Sequence, residues 1–130
     1  MATPGIRRAL RKSYDEALVS VPEALKAEGF GVLTEIDMQA TLKAKLGVDF
    51  RRYKILGACN PPFAHQALQA ELEVGLMLPC NVVVYEGDDH HAVVVAVDPT
   101  TTVATTGNPK LVALAETVKA KLTAALARLE

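Results

Sequence analysis

The sequence predicts an α+β fold, an antiparallel sheet with helices packed on one face. Three observations lead there. Apolar residues recur at helical spacing in three long stretches, each opened by a cap residue, Ser13, Asn60 or Asn108. The two most β-branched runs, Asn81 to Glu86 and His91 to Val97, are separated only by Gly87-Asp88-Asp89-His90, which is hairpin spacing. The full order reads strand, helix, strand, short helix, strand, helix, hairpin, long helix, and such a chain packs its helices against one side of its sheet.

The elements follow in order. Ile6 to Arg11 reads as an edge strand. Ser13-Tyr14-Asp15-Glu16 has the form of a capping box, and Tyr14, Ala17, Leu18, Val21 and Leu25 continue at helical spacing. Pro22 removes the bond to the Leu18 carbonyl, a loss of roughly 3 kcal/mol in an ideal helix interior, so a kink or a restart is expected there. Gly29 suits the left-handed residue that ends the helix. Phe30 to Ile36 reads as a strand, Asp37 caps a helix over Met38 to Leu46, and Gly47 closes it. Tyr53 to Cys59 is a further strand. Asn60-Pro61-Pro62 then starts a helix that runs to about Glu71, with Asn as cap and proline where a missing N–H costs nothing. In the run from His91 to Val97 both alternating faces are apolar, which predicts an interior strand. Asp98-Pro99 stops it, a Thr-rich connector leads to Gly107, and Asn108-Pro109 opens the last helix. That helix carries Leu111, Ala115, Val118, Leu122, Leu126 and Leu129 on one stripe.

Composition bounds the function. The chain has 130 residues, 50% of them hydrophobic and 22% charged, with a net charge of −1. With no internal repeat or linker, residues 1–130 form a single domain. Apolar content this high excludes a disordered chain. No apolar run approaches the roughly 20 residues that span a bilayer, so no membrane partner is expected. The near-neutral charge gives no bulk field for nucleic acid. From Ile55 to Pro109 there is no Lys or Arg, so a DNA-binding sheet face is not expected either. The start, MATPGIRRALRKS, is basic but lacks the apolar stretch of an export leader. Two cysteines and no leader predict a cytoplasmic protein with reduced thiols.

Three blocks carry a resemblance. They are Gly29-Phe30-Gly31-Val32-Leu33-Thr34-Glu35-Ile36-Asp37, Tyr53-Lys54-Ile55-Leu56-Gly57-Ala58-Cys59-Asn60-Pro61, and Leu78-Pro79-Cys80-Asn81-Val82-Val83-Val84-Tyr85-Glu86. Together they resemble the domain-of-unknown-function 302 family over about residues 13 to 99. The resemblance implies a TATA-box-binding-protein-like fold with the order β-α-β-β-β-β-α plus short extra helices. It also implies an uncharacterised bacterial or archaeal protein, and no activity. The connector from Thr100 to Gly107 departs from the family pattern, in which bulkier apolar residues stand there.

The candidate chemistry centres on two thiols. Cys59 sits at a strand end just before a helix start, where the helix dipole favours a thiolate. His65, one turn along that helix, is placed to act as a base. Cys80 is expected to face Cys59 across neighbouring strands. A candidate ligand or thiol site is therefore Cys59, Asn60, His65, Cys80 and Asn81. The competing reading makes each cysteine a small buried hydrophobe. The thiols lie far apart in the chain without a CxxC, so no metal is expected. Asp88-Asp89-His90-His91 has ligand types for a metal but reads as a solvated hairpin tip. Glu35 and Asp37 form a general-acid pair, or Asp37 is simply a helix cap. Arg51, Arg52 and Lys54 with Lys43 and Lys45 form either an anion site or a solvated, balanced face. No phosphate-cradling glycine loop and no serine elbow is present, and no cofactor is expected.

Two functional classes remain. One is a non-enzymatic module that binds a small molecule or a partner. The alternative is a thiol-dependent enzyme or redox protein using Cys59 with Cys80 or His65. The first is the expectation, with a homodimer covering part of the second sheet face.

Overall fold

The computed structural model describes residues 5–130. Met1–Pro4, the start of the segment read above for a leader, lie outside the described residues. Five strands form one antiparallel sheet: β1 (Gly5–Ala9), β2 (Gly31–Asp37), β3 (Tyr53–Cys59), β4 (Cys80–Glu86) and β5 (Ala92–Val97). Their spatial order is β1-β5-β4-β3-β2. The helices are α1 (Tyr14–Ala27), α2 (Met38–Leu46), α3 (Pro61–Ala70) and α4 (Pro109–Ala127). The fold is α+β, and the element order is the one that the resemblance implies. β5 is interior, as its two apolar faces require.

Register assigns the faces. One row crosses the sheet as Ile6, Ala96, Val82, Leu56 and Glu35. Ala96, Val82 and Leu56 are buried in the core with Leu25 of α1 and Leu122 of α4. This is the face that α1 and α4 cover. The next row, Arg7, Val95, Val83, Ile55 and Ile36, lies on the other face. Its four apolar members are only partly buried or exposed.

Local signals account for most element ends. Ser13 Oγ accepts from the Glu16 amide and the Glu16 carboxylate accepts from the Ser13 amide, a complete capping box. Asp37 accepts from the Ala40 amide, and Gly47 ends α2 at φ +67°, a left-handed conformation that glycine adopts without strain. Asn108 caps α4 through the Lys110 amide.

The expected break at Pro22 is not a restart, because one helix runs through it. Val21 and Leu25 are 1% and 0% exposed on either side. Burying each contributes roughly 1.5–3 kcal/mol, enough to offset the lost bond. The Thr-rich connector is also structured. It forms two short 3-10 turns, Pro99–Thr101 and Val103–Thr106, and Val103 packs with Ala67, Val74 and Leu111 on the helices rather than on the sheet.

Asp98 ties the end of β5 to α4. Its carboxylate accepts from the Thr100 amide at 2.9 Å and hydroxyl at 2.6 Å, and meets Lys119 Nζ at 3.1 Å. Burial pushes its pKa up, but Thr100 and Lys119 outweigh burial and hold the carboxyl below its ordinary 3.8. A lowered folded pKa gives stability that is present above 3.8 and fades as pH falls through the lowered value. Asp98→Asn should therefore unfold at a lower urea midpoint than the parent at pH 7, and the gap should narrow at a pH well below 3.8. A gap of equal size at both pH values would show that the ionised form contributes nothing.

Candidate functional site

At one end of the sheet β3 runs out into α3, β4 begins after a 3-10 turn (Leu72–Met77), and β5 gives way to the turns at Pro99 and Val103. These segments and α4 enclose a cavity of about 350 Å³. Its walls are Phe30, Ala58, Phe63, Ala67, Leu78, Pro99 and Val103, with Leu114, Ala115 and Val118 from α4. Leu33 and Leu68 stand at its exposed rim. The space exists because small residues stand where facing elements meet. Ala58, Ala67 and Ala115 are all buried, yet none reaches across. No charged side chain lines the cavity. Its polar side chains are those of Cys59, Cys80 and Asn60.

The structure thus brings together three of the five predicted site residues. It leaves His65 out, on the exposed side of α3. The α3 face is set by Phe63 and Ala67, which pack inward, and His65 is out of step with both. Asn81 is also exposed, on the opposite face of the sheet beside Gly57. Cys80 does not face Cys59. It pairs with Ala58, so alternation puts Cys59 on the other side of the strand. Both cysteines line the cavity. Both are free. Burial pushes the Cys80 thiol up to about 11, and the neighbouring Cys59 thiol adds to that effect. At neutral pH Cys80 is a protonated, weakly nucleophilic wall group.

Asn60 departs from its expected role. It stands at the helix start, but its side chain caps no amide. Its Nδ2 instead donates to the Glu28 carbonyl at 3.3 Å, tying the start of α3 to the end of α1. Pro61 and Pro62 carry no N–H, so the helix start offers few donors to an anion.

The other candidates resolve as ordinary surface. Asp37 is a cap, and Glu35 pairs with Lys54 at 2.6 Å. Lys43 meets Asp49, Arg51 meets Asp88, and Arg52 meets Asp15, so with Lys54 four of the five residues of the basic cluster are paired. Asp88 to His91 is an exposed hairpin tip, where Asp89 accepts from the His91 amide. Among the described residues no group of three or more His, Cys, Asp or Glu is placed to hold a metal. No described helix is long and apolar enough to cross a membrane.

Helices on one face and an apolar cavity at one sheet end define an α+β protein with a closed core and a separate, uncharged pocket. The chain belongs to the DUF302 family, whose model, described as domain of unknown function DUF302, matches residues 6–129. It is similar to a crystal structure of an uncharacterized conserved DUF302 protein from Bacillus stearothermophilus. The two share 32% identity at a TM-score of 0.91, over 99% of this chain and 100% of that one. No curated protein matches the chain.

The sequence reading missed most of the cavity wall. The available signal was the set of alanines at inward positions, Ala58, Ala67 and Ala115, where a helix or strand stripe carries no bulk. The turn over Leu72–Met77, which places Gly75 and Leu78 at the cavity, had no periodic signature to find.

Proposed function

We propose that this protein is a non-enzymatic binding module whose cavity at the sheet end takes a small apolar molecule. The observation that carries this reading is a pocket of about 350 Å³ walled by apolar side chains with no charged group. Ligand cavities of about 300–1,000 Å³ with a few polar groups are the usual form of small-molecule sites. The thiol-enzyme reading has less support. His65 is outside the cavity, Cys80 is held protonated by burial, and no acid or base lines the wall.

The test is occupancy. Xenon pressurised into crystals, or 1-methylnaphthalene titrated in solution, should bind the parent. Ala115→Phe, which places a ring in the cavity, should lower that affinity at least roughly tenfold, since about 1.4 kcal/mol corresponds to a factor of ten. Equal binding by both proteins would remove the site from this cavity.

A second copy of the chain is proposed to cover the open sheet face. Across the row of Arg7, Val95, Val83, Ile55 and Ile36, only Arg7 is charged. Tyr53 and Tyr85 stack at 5.6 Å beside that row, and Phe50 packs on Tyr53. Strands about 4.8 Å apart with residues about 3.3 Å apart give a face of roughly 24 by 20 Å. Two such faces bury on the order of 1,000 Å², the lower bound for a stable pair. Sedimentation should show a dimer that Val95→Lys converts to monomer. A parent that sediments at 13.9 kDa across the micromolar range would rule the dimer out.

A further inference from the structure

We infer that the cavity's ligand is an uncharged, mainly apolar molecule bearing one hydrogen-bond donor, a hydroxyl or an N–H, received by Asn60 Oδ1. This rests on the binding reading above and narrows it. Asn60 is 9% exposed and is the one buried polar residue of the described chain. It lines the cavity. Its orientation is set by its other end, because Nδ2 donates to the Glu28 carbonyl and lies against Gly29. With the nitrogen so engaged, the oxygen is what the side chain has left to offer. Oδ1 accepts no amide from the start of α3. It is not sealed without a partner either, since no described buried side-chain atom is in that state. An acceptor on a residue that lines the cavity, neither bonded to the start of its own helix nor sealed, suits a donor on whatever fills the space.

The rest of the wall limits what else the ligand carries. No charged residue faces the cavity. The sequence has no Lys or Arg from Ile55 to Pro109, the span that supplies most of the wall. An ionised head group inside would be desolvated without a counter-charge. Lys121 of α4 stands 5.9 Å from the centre of the Phe63 ring, and Phe63 lines the cavity. A carboxylate reaching out to Lys121 is thus the rival arrangement. The two thiols are weak hydrogen-bonding groups and do not change the assignment.

Three probes of one shape separate these cases: 1-naphthol, 1-methylnaphthalene and 1-naphthoate, each titrated into the full chain by calorimetry. The ratio of the 1-naphthol affinity to the 1-methylnaphthalene affinity should fall roughly threefold to tenfold in Asn60→Leu, the size expected of one neutral hydrogen bond. 1-Naphthoate should bind the parent most weakly. A ratio that Asn60→Leu leaves unchanged overturns the inference while leaving the cavity a binding site. Tightest binding by 1-naphthoate, abolished in Lys121→Met, overturns it in favour of the rival. Failure of all three probes to bind the parent overturns the binding reading itself. Should Asn60→Leu not fold, a crystal of the parent with 1-naphthol decides the matter. The hydroxyl should lie within about 3 Å of Asn60 Oδ1, and a hydroxyl turned to solvent overturns the assignment.

Discussion

Leu122→Ala should destabilise the protein by about 2–5 kcal/mol, a large share of the roughly 5–15 kcal/mol that a domain commands. Leu122 is 0% exposed and lies in the main core with Leu25, Leu56, Val82 and Val84. Those neighbours come from α1, β3 and β4, so the truncated side chain leaves a void that no single element can move to fill. Urea unfolding of both proteins measures the loss. Leu76→Ala serves as the comparison. Leu76 is 87% exposed, and its removal should change stability by no more than about 0.5 kcal/mol. A Leu122→Ala protein as stable as Leu76→Ala would mean that α4 does not hold the sheet as described.

Gly57→Ala should be the most damaging single-methyl addition in the sheet. Gly57 is buried in β3, opposite Asn81 and Thr34. A Cβ built there meets Thr34 Oγ1 and stands 2.7 Å from Pro79 Cγ, closer than real Cβ atoms stand. Strand and neighbours must shift, at about 1–3 kcal/mol or more. Gly31→Ala provides the contrast, since a Cβ there meets nothing within 4 Å. Adding Thr34→Ala to Gly57→Ala should restore part of the loss, because the two sites share one space. Strict additivity in the double variant would acquit Thr34 and leave Pro79 as the whole obstruction.

What the sequence discloses here is what short-range chemistry decides. The capping box at Ser13, the Asp37 cap, the glycine stop at Gly47 and the Asn108-Pro109 start each depend on residues within one turn, and each stands where it was read. The interior place of β5 follows from the apolar character of both its faces. Asn60 shows the limit. It has the same Asn-Pro signature as Asn108, and both side-chain nitrogens reach distant carbonyls, Glu28 and Ala70, yet only Asn108 caps its helix. The local difference is Pro62, which has no N–H at the position where Lys110 offers its amide to Asn108. His65 fails for a related reason. Its distance from Cys59 along the chain is short, but the helix turns it outward once Phe63 and Ala67 have gone inward. The cavity is harder still, since it consists of an absence of bulk shared among five separate segments.

The pairing of β1 with β5 bears on the order in which the protein can be made. Gly5 pairs with Val97 and Ala9 with Val93, and the Arg11 amide donates to the Glu130 carbonyl. β1 therefore waits for every element between it and β5, and for β5 itself, before its partner exists. Until β5 arrives, the inner edge of β4 is open and the helix-facing side of the half-built sheet lacks α4. Closing so long a loop late makes folding slow relative to a chain of local contacts. It also leaves unpaired strand edges available to neighbouring nascent chains.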